Sequence, residues 1–219
     1  LFRSSILYED KDILVIDKPA NMPIHPSINH YEQTLANGVL WYYTAQQIPY
    51  TFRCITRLDR DTTGVTLLAK HMLSASVLSK AMQQKQIQKE YLALCDGVTP
   101  EEGTIDAPIC RAADSVIKRC VDFENGDSAV TRFVREWTNG QISLVRLKPE
   151  TGRTHQIRVH MKHIGHPLLG DFLYHPGNYS MNRQALHCAS LTFTHPITGE
   201  KLTINAKLPD DMQQLLSQS

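Results

Sequence analysis

The sequence contains neither a G-x-x-x-x-G-K-[ST] loop nor a G-x-G-x-x-G turn, so two standard backbone cradles for nucleoside triphosphates and dinucleotides are missing. It has no C-x-x-C pair either. Its five cysteines, Cys54, Cys95, Cys110, Cys120 and Cys188, are odd in number and widely spread. That pattern fits a reduced, cytosolic chain in which most cysteines simply pack. No apolar run approaches the roughly 20 residues of a transmembrane helix, and LFRSSILYEDK (1–11) has no signal-peptide core. A cytoplasmic protein with no membrane association is expected. A strong charge of one sign is also absent, since 23 Lys and Arg oppose 22 Asp and Glu, a net +1. Indiscriminate coating of nucleic acid, which needs a strong positive field, is thereby excluded, while a local basic groove is not. Low-complexity segments, linkers and repeats are lacking too.

What is present is a chain of 219 residues, 42% hydrophobic, enough for a sizeable core in one large domain or two small ones. DILVID (12–17) reads as a strand, KPANMPIHPS as a loop, and TLANGVLWYYTAQQ (34–47) as a helix with Leu35, Val39 and Tyr42 or Tyr43 at helical spacing. MLSASVLSKAMQQKQ (72–86) is a second helix whose apolar stripe runs through Leu73, Val77 and Ala81 and is widened by Leu78 and Met82. KEYLALCDG (89–97), AVTRFVREW (129–137) and ISLVRLKPE (142–150) read as strands. THQIRVHMKHIG (154–165) reads as a helix capped by Thr154, with Ile157, Met161 and Ile164 inward and Gly165 at a left-handed end. The stretch 185–208 reads as a hairpin turned between His195 and Glu200. Strands outnumber helices and mostly follow one another directly, so the class is α+β with a largely antiparallel sheet.

TRLDRDTTG (56–64) joins two apolar segments, YTFRCI and VTLLAK. A surface turn needs its Asp, Thr and Gly residues, but not Arg57 and Arg60. Cations beside Asp59 and Asp61 favour an ionised carboxylate, useful for a nucleophile or base and equally typical of a loop ion pair. In KEYLA, Lys89 and Tyr91 alternate with Leu92, as in a half-exposed strand; an inward Tyr91 would equally supply a flat ring with a polar tip. His155, His160, His163 and His166 lack the i, i+4 pair of a metalloprotease helix and have no carboxylate or cysteine among them, so no metal is expected. The stretch from Lys148 to Asp171, KPETGRTHQIRVHMKHIGHPLLGD, feeds a turn into a helix. Its outer side is expected to carry His155, Arg158 and Lys162, with Arg158 and Lys162 one turn apart. The helix start beside Arg153 makes an anion site.

Taken in order, these stretches resemble the pseudouridine synthases of the RluA type. KPANMPIHP is similar to the first motif of that family, TRLDRDTTG to the second, KEYLA to the third, GRTHQIRVHM with GHPLLGD to the fourth, and ALHCASL to the last. The match covers nearly the whole chain. Two departures are Thr56, where the family usually has histidine, and Asn21 in place of a glycine, which a left-handed backbone tolerates. The resemblance implies a single catalytic domain over residues 1–219, with a mixed, largely antiparallel sheet flanked by helices and an active-site cleft across the sheet. Some family members carry a separate RNA-binding domain ahead of the catalytic one, and a chain that opens on Leu1 leaves room for one.

The implied activity is isomerisation of uridine to pseudouridine in ribosomal or transfer RNA. Asp59 is the implied catalytic carboxylate, attacking the sugar, attacking the base or abstracting a sugar proton. Arg158 is implied to pair with it, and Tyr91 to stack on the uracil. A glycosidic bond breaks, the base turns over and a carbon–carbon bond forms to the same sugar, so neither metal nor cofactor is required. Extrusion of a stacked uridine costs a few kcal/mol. The resemblance implies that Arg57 fills the vacated stack, which suits its planar guanidinium. Arg60, Arg153, His155 and Lys162 are the expected RNA contacts, and Arg111, Lys118 and Arg119 form either an extension of that track or a solvated loop. A monomer acting without an obligate protein partner is expected. Two rivals are a non-catalytic RNA-binding module, which would need no carboxylate facing an anionic backbone, and a glycoside hydrolase using Asp59 and Asp61, which predicts no RNA affinity.

Overall fold

The computed structural model describes residues 5–26, 31–178 and 180–217. Residues 1–4 of the opening LFRSSILYEDK, and Ser27 of the KPANMPIHPS loop, lie outside them. In chain order the elements are β1 (Ile6–Glu9), β2 (Ile13–Lys18), α1 (Leu35–Thr44), β3 (Thr63–Ala69), α2 (Met72–Gln83), β4 (Gln88–Asp96), β5 (Glu102–Asp106), β6 (Ile109–Arg111), β7 (Arg119–Val121), β8 (Val130–Thr138), β9 (Ile142–Pro149), α3 (Gln156–His163), β10 (Leu186–Thr194), β11 (Lys201–Asn205) and α4 (Asp210–Ser217). The class is α+β, as the sequence implies. No helix of the described residues is long and apolar enough to cross a membrane. The chain forms two compact units: Leu1–Gln88 with Cys188–Lys207, and Lys89–His187 with Leu208–Ser219.

In the first unit the strand order is β1-β2-β3-β10, with β11 paired to β10. β2 and β3 pair antiparallel from Ile13↔Ala69 to Lys18↔Gly64. Ile13, Leu14, Val15 and Ile16 are all fully buried, so this unbroken apolar run is a strand covered on both faces rather than an alternating one. α1 begins at a reciprocal cap in which Thr34 Oγ1 accepts from Asn37 N at 3.3 Å and Asn37 Oδ1 accepts from Thr34 N at 3.1 Å. Leu35, Val39 and Tyr43 then pack on Leu14, Ile16 and Leu68. YTFRCI forms no strand; a single bridge, Cys54↔Leu68, ties it to β3.

α2 is rotated from its expected seat. Ser74 and Leu78 are its buried residues, while Leu73 and Val77 are 60% and 39% exposed. Apolar residues at 72, 73, 77, 78, 81 and 82 spread over a wide arc, and helical periodicity alone cannot choose which edge of that arc packs. Docking on β3 chooses the Ser74–Leu78 side, where His71 Nδ1 also caps the helix by accepting from Ser74 N at 3.3 Å.

In the second unit the order is β4-β9-β8-β5, and β6 and β7 form a separate hairpin. β4 meets β9 antiparallel, placing Tyr91 opposite Leu147. α4 seats Met212 against Leu94, Leu169 and Ala185. A second cluster joins Ile109, Ala129, Val159 and Tyr174.

α3 differs from expectation at its start. The cap position is His155, not Thr154, at φ 58° with no side-chain cap bond. Gln156 closes the preceding turn instead, its Oε1 accepting from Thr151 Oγ1 at 2.8 Å and from Arg153 N at 3.0 Å. Ile157 and Met161 point inward as expected, Ile164 is half-buried, and Gly165 takes the left-handed end at φ 86°.

Candidate active site

The TRLDRDTTG loop of the first unit is held from three directions. Thr56, 1% exposed, accepts from Leu67 N through Oγ1 at 2.9 Å, so the residue that departs from the family pattern pins the loop to β3. Asp59 O accepts from Thr62 N at 3.2 Å, closing the turn. Lys18, fully buried at the end of β2, donates from Nζ to the carbonyls of Pro19 (2.8 Å), Met22 (3.0 Å) and Arg60 (2.8 Å). Buried charge is costly unless so satisfied. Met22 N also donates to Arg60 O, at 3.1 Å. Lys18 therefore stitches KPANMPIHP to TRLDRDTTG. Within that first loop Asn21 holds φ 54°, the left-handed conformation that its place in the motif demands.

Asp61 is gripped by its neighbour: Arg60 Nε lies 3.2 and 3.1 Å from its two carboxylate oxygens, and a terminal nitrogen 2.9 Å from Oδ2. Asp59 is half-buried, and Arg57 is exposed.

In the second unit Tyr91 is 7% exposed on β4, which selects the inward ring of the two readings the sequence allows. Arg158 corrects an expectation. It does not lie on the outer side of α3 but is 3% exposed, because Asp171, itself fully buried, takes its guanidinium in two bonds of 2.7 and 2.8 Å. A planar fork matched to a carboxylate allows such burial. Asp171 Oδ1 also accepts from Leu173 N at 3.1 Å and Tyr174 N at 3.2 Å. Arg158 and Lys162 do share a side, their charged ends 5.0 and 5.9 Å from the centre of the Tyr174 ring. The Tyr174 hydroxyl accepts from Arg119 N at 2.9 Å and lies 2.8 Å from His155 Nδ1.

Arg153 turns from the helix start to the loop before β8, donating to Ser128 O at 3.0 Å with Asp127 at 3.6 Å. Both partners of that ion pair are exposed, so it is weakly held. Arg111, Lys118 and Arg119 fall on the β6–β7 hairpin and its turn.

The α3 histidines do not converge. His160 is a core residue: Nε2 donates to Ala107 O at 2.9 Å and Nδ1 accepts from Thr131 Oγ1 at 2.9 Å. Burial pushes its pKa below the ordinary value. His166 Nδ1 bonds Asp96 O at 2.9 Å. Among the described residues the one cluster of metal-type ligands is Asp10, Asp12 and His195. Its hydrogen bonds are already committed, with Asp10 Oδ2 accepting from Tyr8 and from His195 Nε2 at 2.9 and 2.8 Å. His195 Nδ1 accepts from Ile197 N and Thr198 N.

Three residues of these sites escaped the sequence reading. Lys18 opens a quoted motif and Asp171 closes another, but neither motif names its partner. Tyr174 lies just beyond GHPLLGD, one helical turn's reach from Asp171.

Residues 12–163 match the family described as RNA pseudouridylate synthase. The chain is 44% identical over 212 residues to the uncharacterized RNA pseudouridine synthase YjbO of Bacillus subtilis, covering 96% of this chain and 75% of that one. It is 39% identical over 228 residues to ribosomal large subunit pseudouridine synthase D of Haemophilus influenzae, covering 97% and 70%. Among solved structures, human RNA pseudouridylate synthase domain containing 1 superposes with a TM-score of 0.78 at 26% identity, covering 98% of this chain and 93% of that one.

Proposed function

This chain belongs to the RNA pseudouridylate synthase family, and from that premise we propose that it isomerises uridines of ribosomal RNA to pseudouridine with Asp59 as the catalytic carboxylate. The observation that carries the reading is the family match over residues 12–163, a span that includes the whole TRLDRDTTG loop. Ribosomal RNA is preferred to transfer RNA because a relative of 39% identity is named for the large ribosomal subunit.

The fixed mounting of the TRLDRDTTG loop supports the assignment. Asp61 is committed to Arg60 and shapes the loop, whereas Asp59 sits in a turn fixed by Thr56, Thr62 and the Lys18 network. A carboxylate that must meet one atom of a sugar or base needs such a rigid mount. In this proposal Arg158 pairs with Asp59, Tyr91 stacks on the uracil, and Arg57 fills the stack that the uridine leaves. Arg60, Arg153, His155 and Lys162 contact the RNA, joined by Arg111, Lys118 and Arg119 of the hairpin. Each phosphate contact makes binding more sensitive to salt. The isomerisation is redox-neutral and releases nothing, so the proposed reaction draws on no cofactor; the enzyme is proposed to act as a cytoplasmic monomer.

The test is incubation with ribosomal and transfer RNA followed by mapping of pseudouridine through carbodiimide reactivity. Wild-type protein is expected to mark discrete uridines of ribosomal RNA. Asp59→Asn is expected to bind the same RNA and mark none. Substantial turnover by Asp59→Asn would refute the assignment of the carboxylate, and modification confined to transfer RNA would refute the substrate class.

A further inference from the structure

Tyr174 joins three features of the second unit that the family motifs leave separate. It is 4% exposed and packs with Ile109, Ala129 and Val159, which by itself describes a core filler. A filler needs no hydroxyl. Here the hydroxyl oxygen accepts from Arg119 N at 2.9 Å and lies 2.8 Å from His155 Nδ1, to which its proton is in reach. Donation from Tyr174 to Nδ1 goes with a neutral imidazole that carries its own proton on Nε2. The same histidine holds φ 58°, a left-handed backbone that non-glycine residues seldom adopt. The ring of Tyr174 meanwhile lies under the Arg158 guanidinium, and its backbone N bonds the same Asp171 oxygen that holds Arg158.

We propose that Tyr174 is a positioning residue for the isomerisation. Its ring and backbone seat Arg158 through Asp171. Its hydroxyl fixes His155 as an Nε2–H donor and pins the β6–β7 hairpin at Arg119. The two ends of one side chain thus serve different terms. The ring acts on a residue assigned to catalysis, and the hydroxyl on residues assigned to RNA contact. The proposal rests on the synthase reading above, but the tautomer of His155 is decided without any turnover.

The experiment compares wild type, Tyr174→Phe and Tyr174→Leu. Ring nitrogen chemical shifts of His155, from long-range proton–nitrogen correlation, report the tautomer, and steady-state assays on a ribosomal RNA fragment report kcat and KM. Wild type is expected to show the Nε2–H form. Phe keeps the ring and loses the hydroxyl, so the tautomer becomes mixed and KM rises about three- to tenfold, as the loss of one or two hydrogen bonds implies. Leu loses the ring as well, and kcat falls about tenfold or more, with Phe restoring most of it. Wild-type KM and an unchanged tautomer in Tyr174→Phe would overturn the proposal and leave a core filler. An Nδ1–H tautomer in wild type would overturn it as well. Absence of wild-type turnover on any RNA would instead overturn the synthase reading, while the tautomer would still judge the hydrogen-bond assignment.

Discussion

Asp171→Asn tests whether the Arg158 pair is held by charge and geometry together. The pair is sealed, with side chains 3% and 0% exposed. Asn keeps the volume of Asp but offers one acceptor where the carboxylate offers two. If its oxygen continues to accept from Leu173 N and Tyr174 N, its amide group faces Arg158 Nε, which now lies 2.7 Å from a carboxylate oxygen. The flipped amide keeps one bond to Arg158 and sets its NH2 against the two backbone donors. Either way donor meets donor in a place water cannot reach. Removing one member of a buried pair costs about 3–5 kcal/mol, and because one acceptor survives, the low end, about 3 kcal/mol, is expected here. With a urea slope of about 2–3 kcal/mol per molar, the unfolding midpoint should fall by roughly 1 M. Circular dichroism together with Trp137 fluorescence, which reports from the same unit, would follow it. A second arm separates stability from function. Arg158→Met combined with Asp171→Leu should regain part of the lost stability, since apolar groups of similar volume often replace buried ion pairs well, yet should remain inactive. A midpoint shift below about 0.3 M in Asp171→Asn would refute the reasoning.

Gly64→Ala should be as damaging for a different reason: Gly64 has φ 111°, and an added Cβ would lie 2.2 Å from Cys188 O. At least about 3 kcal/mol, or a Tm lowered by about 6–12 °C, is expected in a calorimetric scan, and a wild-type Tm would show that the two backbones are not so close. Burial holds the His160 imidazole below its ordinary value of 6.5, so as pH falls below about 6.5 the unfolded chain takes up a proton that the folded chain refuses. That stability is present above pH 6.5 and is lost as pH falls towards the folded value. His160→Gln should flatten the stability slope in that window, and equal slopes in the two proteins would count against the assignment. Arg57→Ala should slow single-turnover rates more on a stably stacked RNA loop than on a short flexible one. Equal losses on both, with the salt slope of binding reduced by about one, would make Arg57 a backbone clamp instead.

The sequence by itself determined the class of the fold and the family of the chain. Unbroken ILVI, the alternation of AVTRFVREW and the helical spacing of Leu35, Val39 and Tyr43 are local patterns, and the structure places β2, β8 and α1 on them. Motifs such as TRLDRDTTG were legible because several residue types must stand at fixed spacing for one loop to form. The short elements were not. β5, β6 and β7 have five, three and three residues, too few for a period to declare itself, and pairing across the sheet or hairpin defines them. Only the tertiary structure decided how side chains are shared out. The residue that enfolds Arg158 lies thirteen positions away, the carbonyl that Lys18 holds lies forty-two away, and the apolar arc of α2 was left to β3 to orient. Local sequence specifies backbone periodicity and turn chemistry. Burying a charge requires partners that converge only once the chain has folded, because each must trade water for a hydrogen bond at one point in space.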